Sequence, residues 1–204
     1  MLYIAHRGLS GLWGDNNMIS FQEAINCGTF HMIEMDVQVD SLMIRHDMFG
    51  DQGIPLDTIR SLDIPDDMKI FFDLKGSKKN LKSFEEFLKS FSKINFLVCS
   101  FNLDLLKNFS LDSPLGFITE NVLRPCDLEY LMDDRIRYLV IHWVVLDEAM
   151  IEWCHQTGRK VFTYTVNTKE ELEYALKFKV DGIISNYDLQ TDALRSEMNS
   201  FRSV

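Results

Sequence analysis

Short apolar runs recur along this chain, and each ends in polar or charged residues. Leu2-Tyr3-Ile4, Phe30-His31-Met32-Ile33 and Leu42-Met43-Ile44 open the series, and Met68-Lys69-Ile70-Phe71-Phe72 continues it. Runs of this length, bounded by turn residues, predict buried strands. After the first strand a loop over 8–17, rich in Gly and Asn, leads to an amphipathic helix over 20–27 that stops at Gly28. The second strand, over 32–37, is followed quickly by another over 42–45. A loop containing Gly50, Gly53 and Pro55 leads to one or two helical turns over 56–62, and Pro65 precedes a strand over 69–74.

Beyond residue 79 the alternation is regular. A helix over 79–91 carries Leu81, Phe84, Phe87, Leu88 and Phe91 at helical spacing. Strands over 96–100, 115–119, 138–142, 160–165 and 182–185 then alternate with helices over 103–109, 126–132, 147–156, 169–178 and 189–198. Gly158 is placed to cap the helix before it. Alternation of this kind predicts a parallel sheet covered by helices. Periodicity alone also permits an open doubly wound sheet, but no GxGxxG follows the first strand. Polar residues end several different strands, which favours a closed (β/α)8 TIM barrel. With 204 residues the chain reads as one small single-domain barrel over 1–204, near the lower end of the usual size.

The strand ends carry the candidate chemistry. His6-Arg7 ends the first strand, Glu34 and Asp36 share a face near the end of the second, and His46-Asp47 follows the third. Asp73 and Lys75 repeat the acid-and-base arrangement on the next. Any one of these pairs is as readily a surface or packing feature. Together they place two histidines, three carboxylates, an arginine and a lysine on one rim, which suits phosphoryl chemistry. Histidine titrates near neutrality, so His6 and His46 can act as a base and an acid. Glu34, Asp36 and Asp73 form a hard oxygen cluster suited to Mg²⁺ or Ca²⁺. Arg7 offers a fork matched to phosphate oxygens, and Lys75 a point charge. Asn16, Ser100, His142 and Tyr164 are further candidates for the pocket wall.

The motifs also resemble a known family. His6-Arg7-Gly8, Asn16 before Phe21, Glu34-x-Asp36-Val37 and His46-Asp47 are similar to the signature of glycerophosphodiester phosphodiesterases, and in the same order. Cys99-Ser100-Phe101, Tyr164-Thr165-Val166-Asn167 and Val180-Asp181-Gly182-Ile183-Ile184-Ser185-Asn186-Tyr187 resemble the family's later landmarks. The resemblance implies a TIM barrel and metal-dependent hydrolysis of a small glycerophosphodiester to sn-glycerol 3-phosphate and an alcohol. It also implies a related alternative, a phospholipase D-like enzyme acting on lysophospholipids. A non-catalytic barrel that binds phosphorylated metabolites is the alternative from another class. Departures from the family pattern are Asp73 where Glu is commoner, Tyr164 where Trp is common, and a short segment over 47–65. That segment lies where the family shapes the leaving-group side of the pocket.

Composition narrows the partners. A formal net charge of −10 argues against nucleic acid or an anionic membrane surface as the main partner. No apolar stretch approaches the roughly 18 residues of a membrane span, so stable insertion is not expected. Cys27, Cys99, Cys126 and Cys154 show no CxxC spacing and read as reduced packing residues. The first strand follows Met1 at once, leaving no room for a signal peptide, and a cytoplasmic location is expected.

Overall fold

The computed structural model describes residues 1–49, 53–91, 95–131 and 134–190. Eight parallel strands close into a barrel: β1 (Leu2–Ala5), β2 (Met32–Gln38), β5 (Lys69–Lys75), β6 (Asn95–Ser100), β7 (Leu115–Thr119), β8 (Ile136–His142), β9 (Lys160–Tyr164) and β10 (Gly182–Ser185). Closure is visible in the register of β1, whose Leu2 lies opposite Gly182 on one side and whose Ile4 lies opposite Met32 on the other. Helices α1 (Ser10–Trp13), α2 (Met18–Asn26), α3 (Leu81–Ser90), α4 (Leu103–Asn108), α5 (Pro125–Leu131), α6 (Glu148–Gln156) and α7 (Lys169–Leu176) connect these strands. The expected (β/α)8 barrel is therefore the fold.

The period of two along each strand divides the core into two layers. Inward-facing Ile4, Met32, Phe71, Leu97, Cys99, Ile118, Val140, Phe162 and Ile184 fill the barrel. Outward-facing residues such as Ile33, Met35 and Val37 pack under the helices. Strand β2 is buried along its whole length, and its inward positions end in Glu34, Asp36 and Gln38. The apolar filling thus stops where the carboxylates begin. Helix α3 shows how the cover is held: its buried Phe84 meets Phe72 of β5 edge to face at 5.4 Å.

Several boundaries differ from expectation. The strand over 42–45 is not a barrel strand. It is the short β3 (Met43–Ile44), paired antiparallel with β2 and with β4 (Ile54–Pro55). Only residues 39–42 separate β2 from β3, too few for the dozen or more that a parallel crossover needs. The loop over 8–17 contains the single turn α1, and the segment over 56–62 is a 3₁₀ turn, Leu56–Ser61. The helix expected over 79–91 begins with a 3₁₀ turn, Lys78–Asn80, before α3. Residues 191–198 of the last expected helix, and Met132, lie outside the described residues.

Candidate active site

A cavity of about 280 Å³ opens at the C-terminal ends of the barrel strands, the end where such barrels carry their sites. His6, Arg7, Glu34, Asp36, His46, Asp73, Lys75, His142 and Tyr164 all line it. The apolar barrel filling, from Phe71, Ile118, Val140 and Ile184, forms part of its wall.

His6 leaves β1 with its backbone N–H still bonded to the Ser185 carbonyl, so the barrel wall fixes its position. Its Nδ1 lies 2.6 Å from Asn186 Oδ1, which can only accept; Nδ1 therefore carries the proton and Nε2 keeps its lone pair. Nε2 is 4.0 Å from Glu34 Oε2. Burial, and then the adjacent Arg7 charge, push the His6 imidazole down to about 4. The imidazole is therefore neutral at physiological pH.

Two residues then turn back on themselves. Arg7 and Gly8 both adopt positive φ, 55° and 79°. A Cβ on Gly8 would lie 2.6 Å from the Ser20 backbone, so only glycine fits there. This turn aims the Arg7 N–H at Glu34 Oε2, 2.7 Å away, and brings the guanidinium against Asp36 and Asp15. Arg7 Nε is 2.9 Å from Asp36 Oδ2 but poorly aligned for a hydrogen bond, so the contact is mainly ionic. Asn16, also at positive φ, clamps Asp36 twice: its Nδ2 donates to Oδ2 at 2.8 Å, and its Oδ1 accepts from the Asp36 N–H at 3.1 Å.

The sheet register sets Asp36 directly beside Asp73, with Glu34 two residues lower on the same face. Each of the three acids offers an oxygen, and these oxygens lie within 4.8 Å of one another. Lys75 Nζ neutralises part of this charge, at 2.7 Å from Asp73 and 3.1 Å from Asp36. Burial would raise all three carboxylates. Lys75 and Arg7 outweigh it at Asp36 and hold that group below its ordinary range. Burial, with Asp36 beside it, drives Glu34 well upward, and burial lifts Asp73 up to about 6 against the opposing charge of Lys75. Lys75 is itself raised: burial opposes its charge, but Asp73 and Asp36 favour it more. Asp73 Oδ1 is buried with no hydrogen-bond partner, which is costly for a carboxylate oxygen. Hard donors in excess of their cations, with one acceptor unspent, fit a divalent ion such as Mg²⁺ or Ca²⁺.

His46 reaches the cavity from the β3–β4 hairpin. Its Nδ1 is 2.7 Å from Asp47 Oδ1, and its carbonyl accepts from Gln38 Nε2 at 2.6 Å. His142 Nδ1 accepts from the Val144 N–H, and its ring meets Tyr164 edge-on at 5.5 Å. The Tyr164 hydroxyl donates to the Thr119 carbonyl. Ser100 stands apart from the cavity. Its buried hydroxyl donates to the Leu74 carbonyl and accepts from the Asn102 N–H, tying β6 to β5. Three residues that the sequence reading left without a role complete the site: Asn186, Asp47 and Gln38 position the two histidines. The sequence signal for Asn186 was its place just after the last barrel strand.

Known proteins resemble this chain along most of its length. The glycerophosphoryl diester phosphodiesterase family profile matches residues 46–188. The chain is 27% identical to a glycerophosphodiester phosphodiesterase from Caldanaerobacter subterraneus subsp. tengcongensis, over 91% of this chain and 93% of that protein. Among solved structures, a phosphodiesterase from Oleispira antarctica, in complex with the product sn-glycerol-3-phosphate, superposes with a TM-score of 0.75 at 22% identity. That match covers 96% of this chain and 97% of the other. A glycerophosphodiester phosphodiesterase from Parabacteroides distasonis gives a TM-score of 0.73 at 20% identity, over 99% and 98% of the two chains. The chain belongs to the glycerophosphoryl diester phosphodiesterase family and is an enzyme of that class.

Proposed function

We propose that this enzyme hydrolyses small glycerophosphodiesters to sn-glycerol 3-phosphate and an alcohol, in a metal-dependent reaction with His6 as base and His46 as acid. One observation carries the reading: both histidines share a cavity with three clustered carboxylates, Arg7 and Lys75. A site that only bound phosphometabolites would not need a neutral imidazole held in one tautomer beside an acid cluster. A product-bound relative with the same barrel supports the choice of glycerol phosphate as product.

In this reading Glu34, Asp36 and Asp73 would hold the divalent ion. Bound there, such an ion supplies positive charge for the phosphoryl oxygens and lowers the pKa of an attacking hydroxyl. The chain's own groups do the rest. Arg7 and Lys75 present positive charge to the non-bridging oxygens from the same wall as the carboxylates. His6 Nε2 takes the proton of an attacking water, whose oxygen bonds to phosphorus. The phosphorus–oxygen bond to the alcohol breaks, and His46 returns a proton to the departing oxygen. Asn186 and Asp47 keep the two rings facing inward.

The four cysteines, without CxxC spacing and with Cys99 and Cys154 buried, support a cytoplasmic setting. No helix among the described residues is long and apolar enough to cross a membrane. The net charge of −10 disfavours nucleic acid as a partner.

Product analysis tests the reaction. Incubation with glycerophosphocholine should release sn-glycerol 3-phosphate and choline, identified by ³¹P resonance and a choline oxidase assay. Phosphocholine and glycerol as products would place the scission on the other ester bond and overturn the reading.

A further inference from the structure

The cavity wall opposite the carboxylates carries a row of side chains that take no part in the proposed chemistry. Ile118, Val140 and Phe162 belong to the inward-facing apolar filling on β7, β8 and β9. Two residues further along the chain in each case, on the same face, stand Glu120, His142 and Tyr164, all lining the cavity. The register sets them side by side. Thr119 lies opposite Ile141, so Glu120 falls beside His142, and His142 lies opposite Tyr164. In the closed ring of eight strands β8 is four strands from β2, so the row faces Glu34 and Asp36 across the cavity. His142 Nδ1 accepts from the Val144 N–H at 3.3 Å, so in the neutral ring Nε2 carries the proton. Among the described residues neither that Nε2–H nor the Glu120 carboxylate has a hydrogen-bond or ion-pair partner. The Tyr164 hydroxyl is spent on the Thr119 carbonyl, and its ring meets Phe101 edge-on at 6.2 Å. Burial, then the Glu120 charge, hold the Tyr164 phenol above its ordinary range, which sets the carboxylate close to that ring. The row thus offers one free acceptor and one free donor beside aromatic carbon.

We propose that Glu120 and His142 bind the vicinal diol of the substrate's glycerol moiety, with its carbons against Tyr164 and Phe101. The assignment rests on the proposed function and makes these two residues the ones that select glycerol. A hydroxyl both donates and accepts, so a pair of hydroxyls matches a carboxylate standing beside an N–H. An alkylammonium alcohol would use the carboxylate and the rings but leave the imidazole N–H unpaired. The departing alcohol has a side of its own. His46, the acid that protonates it, also lines a second cavity of about 310 Å³, formed with Ile44 and Ile54 of the β3–β4 hairpin. The glycerol that stays on phosphorus then falls to the wall across from the hairpin, where the row stands.

The test compares sn-glycerol 3-phosphate with propyl phosphate, which lacks both hydroxyls, by calorimetric titration of the protein in Mg²⁺. The parent should bind sn-glycerol 3-phosphate at least about tenfold more tightly, as a polar site does when an analogue lacks the hydroxyls it pairs. Glu120→Ala and His142→Phe should each cut this preference at least about threefold. The kinetic preference for glycerophosphocholine over propylphosphocholine should shrink in the same two variants. Glu120 is exposed, and phenylalanine keeps a ring against Trp143, so both variants should melt like the parent. Equal binding of the two phosphates by the parent, or a preference that both variants keep, would overturn the proposal. So would variants that keep the preference but lose kcat/KM for glycerophosphocholine relative to glycerophosphoglycerol, because the row would then hold the cationic alcohol. A parent that prefers sn-glycerol 3-phosphate yet leaves glycerophosphocholine intact would instead refute the proposed function and leave the diol site standing.

Discussion

At the residue scale, the site depends on which partner each titratable group has been given. His6 bonds through Nδ1 to an amide oxygen and lies near Arg7, so it remains a free base; His46 is held by a carboxylate. His6→Ala and His46→Ala should each lower kcat by roughly 10²–10⁴-fold, with melting temperatures close to the parent's. A variant that melts like the parent and turns over normally would remove that histidine from the mechanism. Asp73 yields a prediction with a definite sign. Its folded pKa, about 6, lies above the ordinary 3.8, so ionising it costs the fold stability. That cost is fully present above pH 6 and disappears as pH falls towards 4. In chelator, Asp73→Asn should therefore be more stable than the parent at pH 8, by on the order of 1–3 kcal/mol. The gap should close on acidification, as urea melts at several pH values would read. A gap that is constant or widens towards pH 4 would contradict the strained carboxylate. Glu34 and Asp36 were legible in the sequence because strand periodicity puts them on one face, whereas His6, Arg7 and Asp73 were legible from their places at the ends of apolar runs and, for His6 and Arg7, from the resemblance of their motif to the family signature. Asn186 was not legible as a partner of His6, because 180 residues separate them and only barrel closure brings them together.

At the scale of elements, the barrel strands were legible because continuous apolar runs mark strands buried on both faces. The β3–β4 hairpin was not. A pairing of two residues has no readable period, and its distinction from a barrel strand lies in the short connection over 39–42. The consequence is functional, since the hairpin and not the barrel wall carries His46. Gln38, the last residue of β2, is the link: its inward side chain donates to the His46 carbonyl. Gln38→Ala should leave the barrel folded and lower kcat by about tenfold with little change in KM, as expected when a catalytic group loses its aim. The pH profile should keep its shape, because neither histidine has changed its ring partner. A fall confined to KM would place Gln38 on the substrate instead. Ser100 illustrates the converse. It ends a strand as the other candidates do, yet its hydroxyl is used up between two backbone groups.

At the scale of the whole molecule, an apolar barrel supports a buried cluster of three acids and two bases on its upper layer. Two cations do not balance the charge: Glu34 and Asp73 remain raised, and Asp73 Oδ1 has no partner. The fold thus stores unfavourable electrostatics at one end, which a divalent cation would relieve. The central claim, that these carboxylates hold a metal on which phosphodiester hydrolysis depends, is tested most directly by one titration. Chelator-stripped protein is titrated with Mg²⁺, Ca²⁺ and Mn²⁺ while glycerophosphocholine hydrolysis and melting temperature are followed together. Rate and melting temperature should rise over the same concentration range for at least one ion. Asp36→Asn should abolish the rate and blunt the rise in melting temperature. Chelator-resistant hydrolysis, with a melting temperature unmoved by millimolar amounts of all three ions, would contradict the account.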